Sequence, residues 1–141
     1  MGSEHVSEYF SHDRLAKELG MEIVEFSSGC ATVRMPVQEK HFNSARMVHG
    51  GAIFSLADVA FAVASNSHGT LAVAIHAGIS FTKAVRSGTL TAKARELSIN
   101  PKIATYFIEI SDETGAAVAT FEGMVYRKKE TLREILAAVQ Q

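Results

Sequence analysis

A single cysteine, Cys30, leaves the chain without an internal disulfide, so no small cross-linked scaffold is encoded. No basic cluster stands beside Cys30, and it reads as a small buried strand residue rather than a reactive thiol. An excess of one charge is equally absent. The 14 lysines and arginines and 15 aspartates and glutamates are spread along the chain for a net charge of -1. That balance excludes a nucleic-acid or anionic-membrane surface as the main business of the protein. No apolar run reaches the roughly 18 residues of a membrane span, and no charged segment leads into an apolar one as in a secretory signal. The expectation is a soluble cytoplasmic protein with no membrane partner. Repeats, low-complexity tracts and linkers are missing too. With 141 residues the chain can bury a core unaided, so residues 1–141 are expected to form one domain.

Several chemistries lack their signatures. His5, His12, His41, His49, His68 and His76 form no i, i+4 pair and have no cysteine partner, which argues against a metal site. No G-x-S-x-G elbow surrounds any serine, so a serine hydrolase is not expected. The glycines are not followed by the Gly-Lys-Ser/Thr of a phosphate loop.

What is present is a clear alternation of periods. Residues 11–19 read as a short helix, with Ser11 as its cap and Gly20 as its end. Two strands follow, 21–26 and 30–37, across a Ser-Ser-Gly turn, and then an irregular connection over 41–48. A long apolar helix is expected over 51–66, with Gly69 just beyond it. In 71–81 the odd positions Leu71, Val73, Ile75, Ile79 and Phe81 are bulky and the even ones small or polar, which predicts a strand with its bulky face on a core. Turns at 86–88, 100–102 and 113–115 delimit strands 89–99, 103–111 and 116–127, and an amphipathic helix closes the chain at about 130–139. The sum is an α+β domain in which an antiparallel sheet of five or six strands curls around one long helix.

That helix holds one ionisable side chain, Asp58; from Gly50 to Ser67 nothing else can carry charge. At 100° per residue, Ile53, Leu56, Ala60 and Val63 make a stripe for the sheet. Phe54, Phe61, Ala62 and Ser65 share the Asp58 side. A helix apolar nearly all round must be covered nearly all round, and a second copy of the chain is the simplest cover. Asp58 then reads either as a hydrogen-bonded aspartate at an interface or as a general base or nucleophile in a partly dry site.

The helix start complements it. Unpaired N–H groups at the positive dipole end, behind Gly50 and Gly51, can polarise a carbonyl oxygen. Eight residues separate Gly50 from Asp58, about 12 Å along a helix, so one helix cannot bring both to one carbonyl carbon. Two antiparallel copies can.

The run Asn43…His49-Gly50-Gly51…Leu56-Ala57-Asp58…Ala60-Phe61-Ala62…Asn66-Ser67, with Ile79-Ser80-Phe81 and Ser87-Gly88 before Thr89-Leu90-Thr91-Ala92, closely resembles the hotdog-fold acyl-CoA thioesterases of the phenylacetic acid degradation type. The likeness extends over about 12–128. It implies hydrolysis of aromatic or medium-chain acyl-CoA thioesters at the interface of a homodimer, within a homotetramer, with no cofactor beyond the CoA of the substrate. It further implies that Asp58 activates water or attacks the thioester and that the neighbouring subunit's Gly50 polarises the carbonyl. His49 would shape the turn, and Asn43 would help position the thioester or the water. Gly51, Phe54, Phe61, Ser65 and Lys83 are the expected substrate-binding residues. Lys83, Arg86 and Lys102 could hold CoA phosphates or simply face solvent.

The chain departs from that family in three places. Arg46 stands where relatives often carry glycine, Thr82-Lys83-Ala84 replaces an Arg-Pro pair, and the last helix lies beyond the matched core. Two rival functions stay open, a hotdog enoyl- or 3-hydroxyacyl-thioester hydratase and a non-catalytic acyl-CoA-binding protein. The hydratase is disfavoured because Asp58 has no evident histidine partner on its helix.

Overall fold

The structure, a computed structural model, describes residues 2–139; Met1, Gln140 and Gln141 of the expected domain lie outside the described residues. Two short helices, α1 (Gly2–Phe10) and α2 (Arg14–Glu18), precede the hairpin β1 (Glu22–Ser27) and β2 (Cys30–Pro36). A 3-10 turn at Glu39–His41 leads to the long helix α3 (Gly50–Asn66). Then come β3 (Thr70–Phe81), β4 (Thr89–Ile99), β5 (Ile103–Ser111), β6 (Ala117–Thr131) and α4 (Leu132–Val139). The strands form one antiparallel sheet of six in the order β1-β2-β4-β5-β6-β3, curled around α3 in the hotdog arrangement.

Local chemistry explains the boundaries, with two corrections. The residue that caps the second helix is Asp13, whose carboxylate accepts from the Ala16 N–H at 3.0 Å. Ser11, the expected cap, instead donates to the Glu8 carbonyl and closes α1, a helix the sequence reading missed. Cys30 is exposed, not buried: it opens β2 on the outer face of the sheet. In the turn before it, Gly29 has a φ of +77°, and a Cβ there would stand 2.9 Å from that of Glu96, so glycine is required twice over.

The core lies between α3 and the concave face of the sheet. Ile53, Leu56, Ala60 and Val63, the expected stripe, are all buried there, and so are Ala57, Phe61 and Ala64. Against them stand Leu90, Ala92, Tyr106, Ile108, Phe121 and Val125 from the sheet. Phe61 packs between Tyr106 and Phe121, with ring centroids 5.7 and 5.6 Å away, over the bare backbone of Gly123.

The bulky residues of β3 do not share one face as its alternation predicts. Ala74 pairs with Val125 but His76 with Met124, so Ile75 is an extra residue, a bulge. One extra residue reverses parity: Val73 points outward before the bulge, while Ala77, Ile79 and Phe81 point inward after it. In the single chain Val73, Ile75 and Phe81 are 40%, 53% and 52% exposed. β3 is also an end strand, so its far edge is unpaired within the chain.

Candidate active site

The start of α3 is held from behind by a buried histidine. The Gln38 N–H donates to His41 Nδ1 (3.0 Å), so the ring proton sits on Nε2, which donates to the Leu19 carbonyl (2.7 Å). The His41 carbonyl accepts from the His49 N–H at 2.7 Å, which ties the helix entrance to the end of α2. His49 is the N-cap: its Nδ1 accepts from the Gly51 N–H at 2.9 Å. That bond uses Gly51's amide, whereas the Gly50 N–H has no partner among the described residues. Gly50 lines a cleft of about 360 Å³ with Asn43, Ile53, Phe81 and Lys83. A Cβ on Gly50 would meet Phe81 Cζ at 3.2 Å, so glycine lets the ring close against the helix start.

Asn43 shapes the loop before the helix. Its Oδ1 accepts from the N–H groups of Ala45 (2.9 Å) and Met47 (3.3 Å), and its Nδ2 has no partner among the described residues. This fold places Arg46 at φ 59°, in the left-handed region. Glycine adopts that conformation at far less cost than an arginine.

Asp58 lies two turns into α3 on a strip with Gly51, Phe54, Ser55 and Ala62, a side of the helix that is not fully buried. Burial, and then the nearby Asp13 carboxylate, push its carboxyl above the usual aspartate value. No donor reaches it among the described residues. A half-dry carboxylate of this kind is a poor structural element and a good proton acceptor.

The expected site residues therefore separate. Asn43, Gly50 and Lys83 meet at the cleft, His49 and Gly51 build the cap behind it, and Asp58 stands apart on the helix flank. Phe54 is half-buried, edge-on to Phe121 at 5.2 Å. Phe61 is 1% exposed, packed in the core, whereas Ser65, two turns beyond Asp58 on the same side of the helix, is buried and donates to the Ala62 carbonyl. The sheet takes Phe61 through the rings of Tyr106 and Phe121.

Lys83 is engaged by Asp112 at 2.5 Å. Lys83 and then Thr114 hold that carboxyl well below the usual range. His68 pairs with Glu96 at 2.7 Å, and Tyr106 donates to the same oxygen at 2.6 Å. Burial alone would raise the Glu96 carboxyl, but these bonds outweigh it and leave it lowered. His76 is exposed on β3. Among the described residues no three His, Cys, Asp or Glu side chains gather as a metal site would need, and no helix is long and apolar enough to cross a membrane. The sequence reading missed Asp13, His41 and Phe81 as parts of this region. Only Asp13 had a local signal, its place three residues before Ala16 at a helix start.

Comparison with known proteins places this geometry. Residues 46–119 match the family model of the thioesterase superfamily. The chain is 44% identical over 129 residues to a protein of Archaeoglobus fulgidus provisionally named an esterase, covering 90% of this chain and 84% of that one. It is 40% identical over 119 residues to the acyl-coenzyme A thioesterase PaaI of Escherichia coli, covering 84% and 85%. The solved structure of E. coli PaaI, from the phenylacetic acid degradation operon, superposes with a TM-score of 0.88 at 36% identity over 92% of this chain and 95% of that one.

Proposed function

The chain belongs to the thioesterase superfamily, and from that premise we propose that it hydrolyses acyl-CoA thioesters at a site shared by two copies of the chain. One observation carries the shared site: the Gly50 N–H and the Asp58 carboxylate, both without a partner among the described residues, are eight residues apart on one helix. About 12 Å is too far for one carbonyl group to meet both. The free edge of β3, with exposed Val73 and Ile75, supports the pairing. A second copy added antiparallel on that edge continues the sheet and covers the open strip of α3.

In this arrangement the thioester oxygen accepts from the Gly50 N–H of one copy, at the positive end of its helix. The developing oxyanion strengthens that bond. Asp58 of the other copy takes a proton from water as the water oxygen attacks the carbonyl carbon. The C–S bond then breaks, the carboxylic acid forms, and the CoA thiolate leaves with a proton returned through Asp58. The raised proton affinity of Asp58 suits this general-base role. Asn43 Nδ2 is free to hold the water or the thioester, and Lys83, in the cleft wall, with Arg86 three residues along the chain, could meet CoA phosphates. The reaction draws on water and on these groups alone.

The test is thiol release from aromatic and aliphatic acyl-CoAs by wild type and Asp58→Asn, with double-bond hydration followed separately. The proposal expects release to fall about 10²- to 10⁴-fold in the variant. Undiminished release would remove Asp58 from the chemistry, and hydration without release would establish the hydratase instead.

A further inference from the structure

A second cavity, of about 400 Å³, begins where the reacting centre ends. Its wall on α3 is Ala62, one turn beyond Asp58 on the same open strip, a separation of about 6 Å between side chains. Asp13, whose charge reaches Asp58, stands at the same cavity with His12. Deeper in, the lining is apolar: Tyr9 and Phe10 from α1, Leu71 from β3, Ile135 and Leu136 from α4.

The helices that close this cavity are built as a separate flap. Val6, Leu132 and Leu136 are buried, yet they lie outside the main cluster between α3 and the sheet. They form a small core of their own where α1 meets α4. Both helices lie outside residues 46–119, the segment matched by the superfamily model. Side chains on its inner surface can change size without disturbing the sheet–helix core.

We infer that this cavity receives the acyl group of the substrate, and that α1 and α4 set its length. The inference rests on the thioesterase reading above. The occupant is an uncharged apolar acyl chain. Tyr9, Phe10, Leu71 and Ile135 offer it an apolar wall, while the carboxylates of Asp13, in that wall, and of Asp58, one helical turn before Ala62, repel an acyl group that ends in a carboxylate.

The experiment measures kcat/KM by thiol release for butyryl-, hexanoyl-, octanoyl-, decanoyl- and succinyl-CoA with wild type, Ala62→Met and Ile135→Ala. For wild type, each methylene that enters the cavity should raise kcat/KM about fourfold until the cavity is full. The break should come at a shorter chain in Ala62→Met and at a longer one in Ile135→Ala. Should Ala62→Met fail to fold, the shift in Ile135→Ala decides alone. Succinyl-CoA should be slower than butyryl-CoA by about a hundredfold, since its charge must be desolvated beside two others. An unchanged chain-length profile in both folded variants, with hydrolysis intact, overturns the cavity assignment and leaves the thioesterase reading standing. Absence of thiol release from every thioester overturns that reading, and the assignment with it.

Discussion

Gly123→Ala should be among the most damaging single-methyl additions this protein can receive. Gly123 lies in the middle of β6, directly under Phe61. A Cβ built on it stands 2.5, 2.7 and 2.8 Å from three carbons of that ring. Comfortable carbon contacts are about 3.5–4.0 Å, so the ring must retreat by about 1 Å. It has nowhere to go. Phe61 is 1% exposed, and Tyr106 and Phe121, which flank it, are themselves at 1% and 0%. Overpacking of this kind costs about 1–3 kcal/mol, and the closed surroundings place it near the upper end, about 3 kcal/mol. For a domain of this size that lowers the melting temperature by about 6–12 °C. Phe61→Leu alone should cost about 1–2 kcal/mol, yet in the Gly123→Ala background the same change removes the clash. The double variant should therefore be more stable than the sum of the two losses by about 1–3 kcal/mol. Urea and thermal unfolding at one fixed protein concentration measure all four proteins. A Gly123→Ala variant within about 0.5 kcal/mol of wild type, or strict additivity, would refute the packing argument.

Three further outcomes follow from the same geometry. At neutral pH Asp58→Asn should unfold at a higher temperature than wild type while losing activity. The fold raises this carboxyl's proton affinity, so ionisation is penalised as pH rises through and beyond 3.8, and the gap should close as pH falls back towards that value. Glu96 has the opposite sign: its folded value is depressed, so its contribution is present above 4.5 and lost as pH falls below. Melting curves of wild type and Glu96→Gln should converge in that acid range. Asn66 donates to the Ala62 and Ala72 carbonyls and accepts from the Ala72 N–H. Asn66→Asp turns an oxygen on two carbonyls and should cost about 2–4 kcal/mol in urea unfolding, whereas a loss under about 0.5 kcal/mol would deny it that role.

Much of this architecture was legible in the chain because its local signals agree. The apolar length of α3, the turn residues and the period-two runs gave β4 and β5 with the observed bounds. Legibility failed where one residue changes parity or where partners are distant. The bulge at Ile75 carries no local mark, yet it reverses which face every later β3 residue takes, and so brings Phe81 to Gly50. An ideal helical projection put Phe61 near Asp58, at about 60° from it, but the rings of Tyr106 and Phe121 draw Phe61 into the core. His68 with Glu96, and Lys83 with Asp112, meet across 28 and 29 residues, a distance at which spacing says nothing. The candidate site divided in the same way. The separation of Gly50 from Asp58 needed only the rise of a helix, whereas the flap of α1 and α4 beside it needed the fold.

The most direct test of the shared site is complementation. Asp58→Asn and Gly50→Val are each expected to be inactive alone; mixed in equal amounts, unfolded and refolded together, they should pair at random. If Asp58 of one copy works with Gly50 of the other, about one quarter of all sites then combine an intact Asp58 with an intact Gly50, and about one quarter of wild-type thioester hydrolysis returns. Recovery no greater than the average of the two inactive parents would contradict the account, because it would place both groups in the same chain's site.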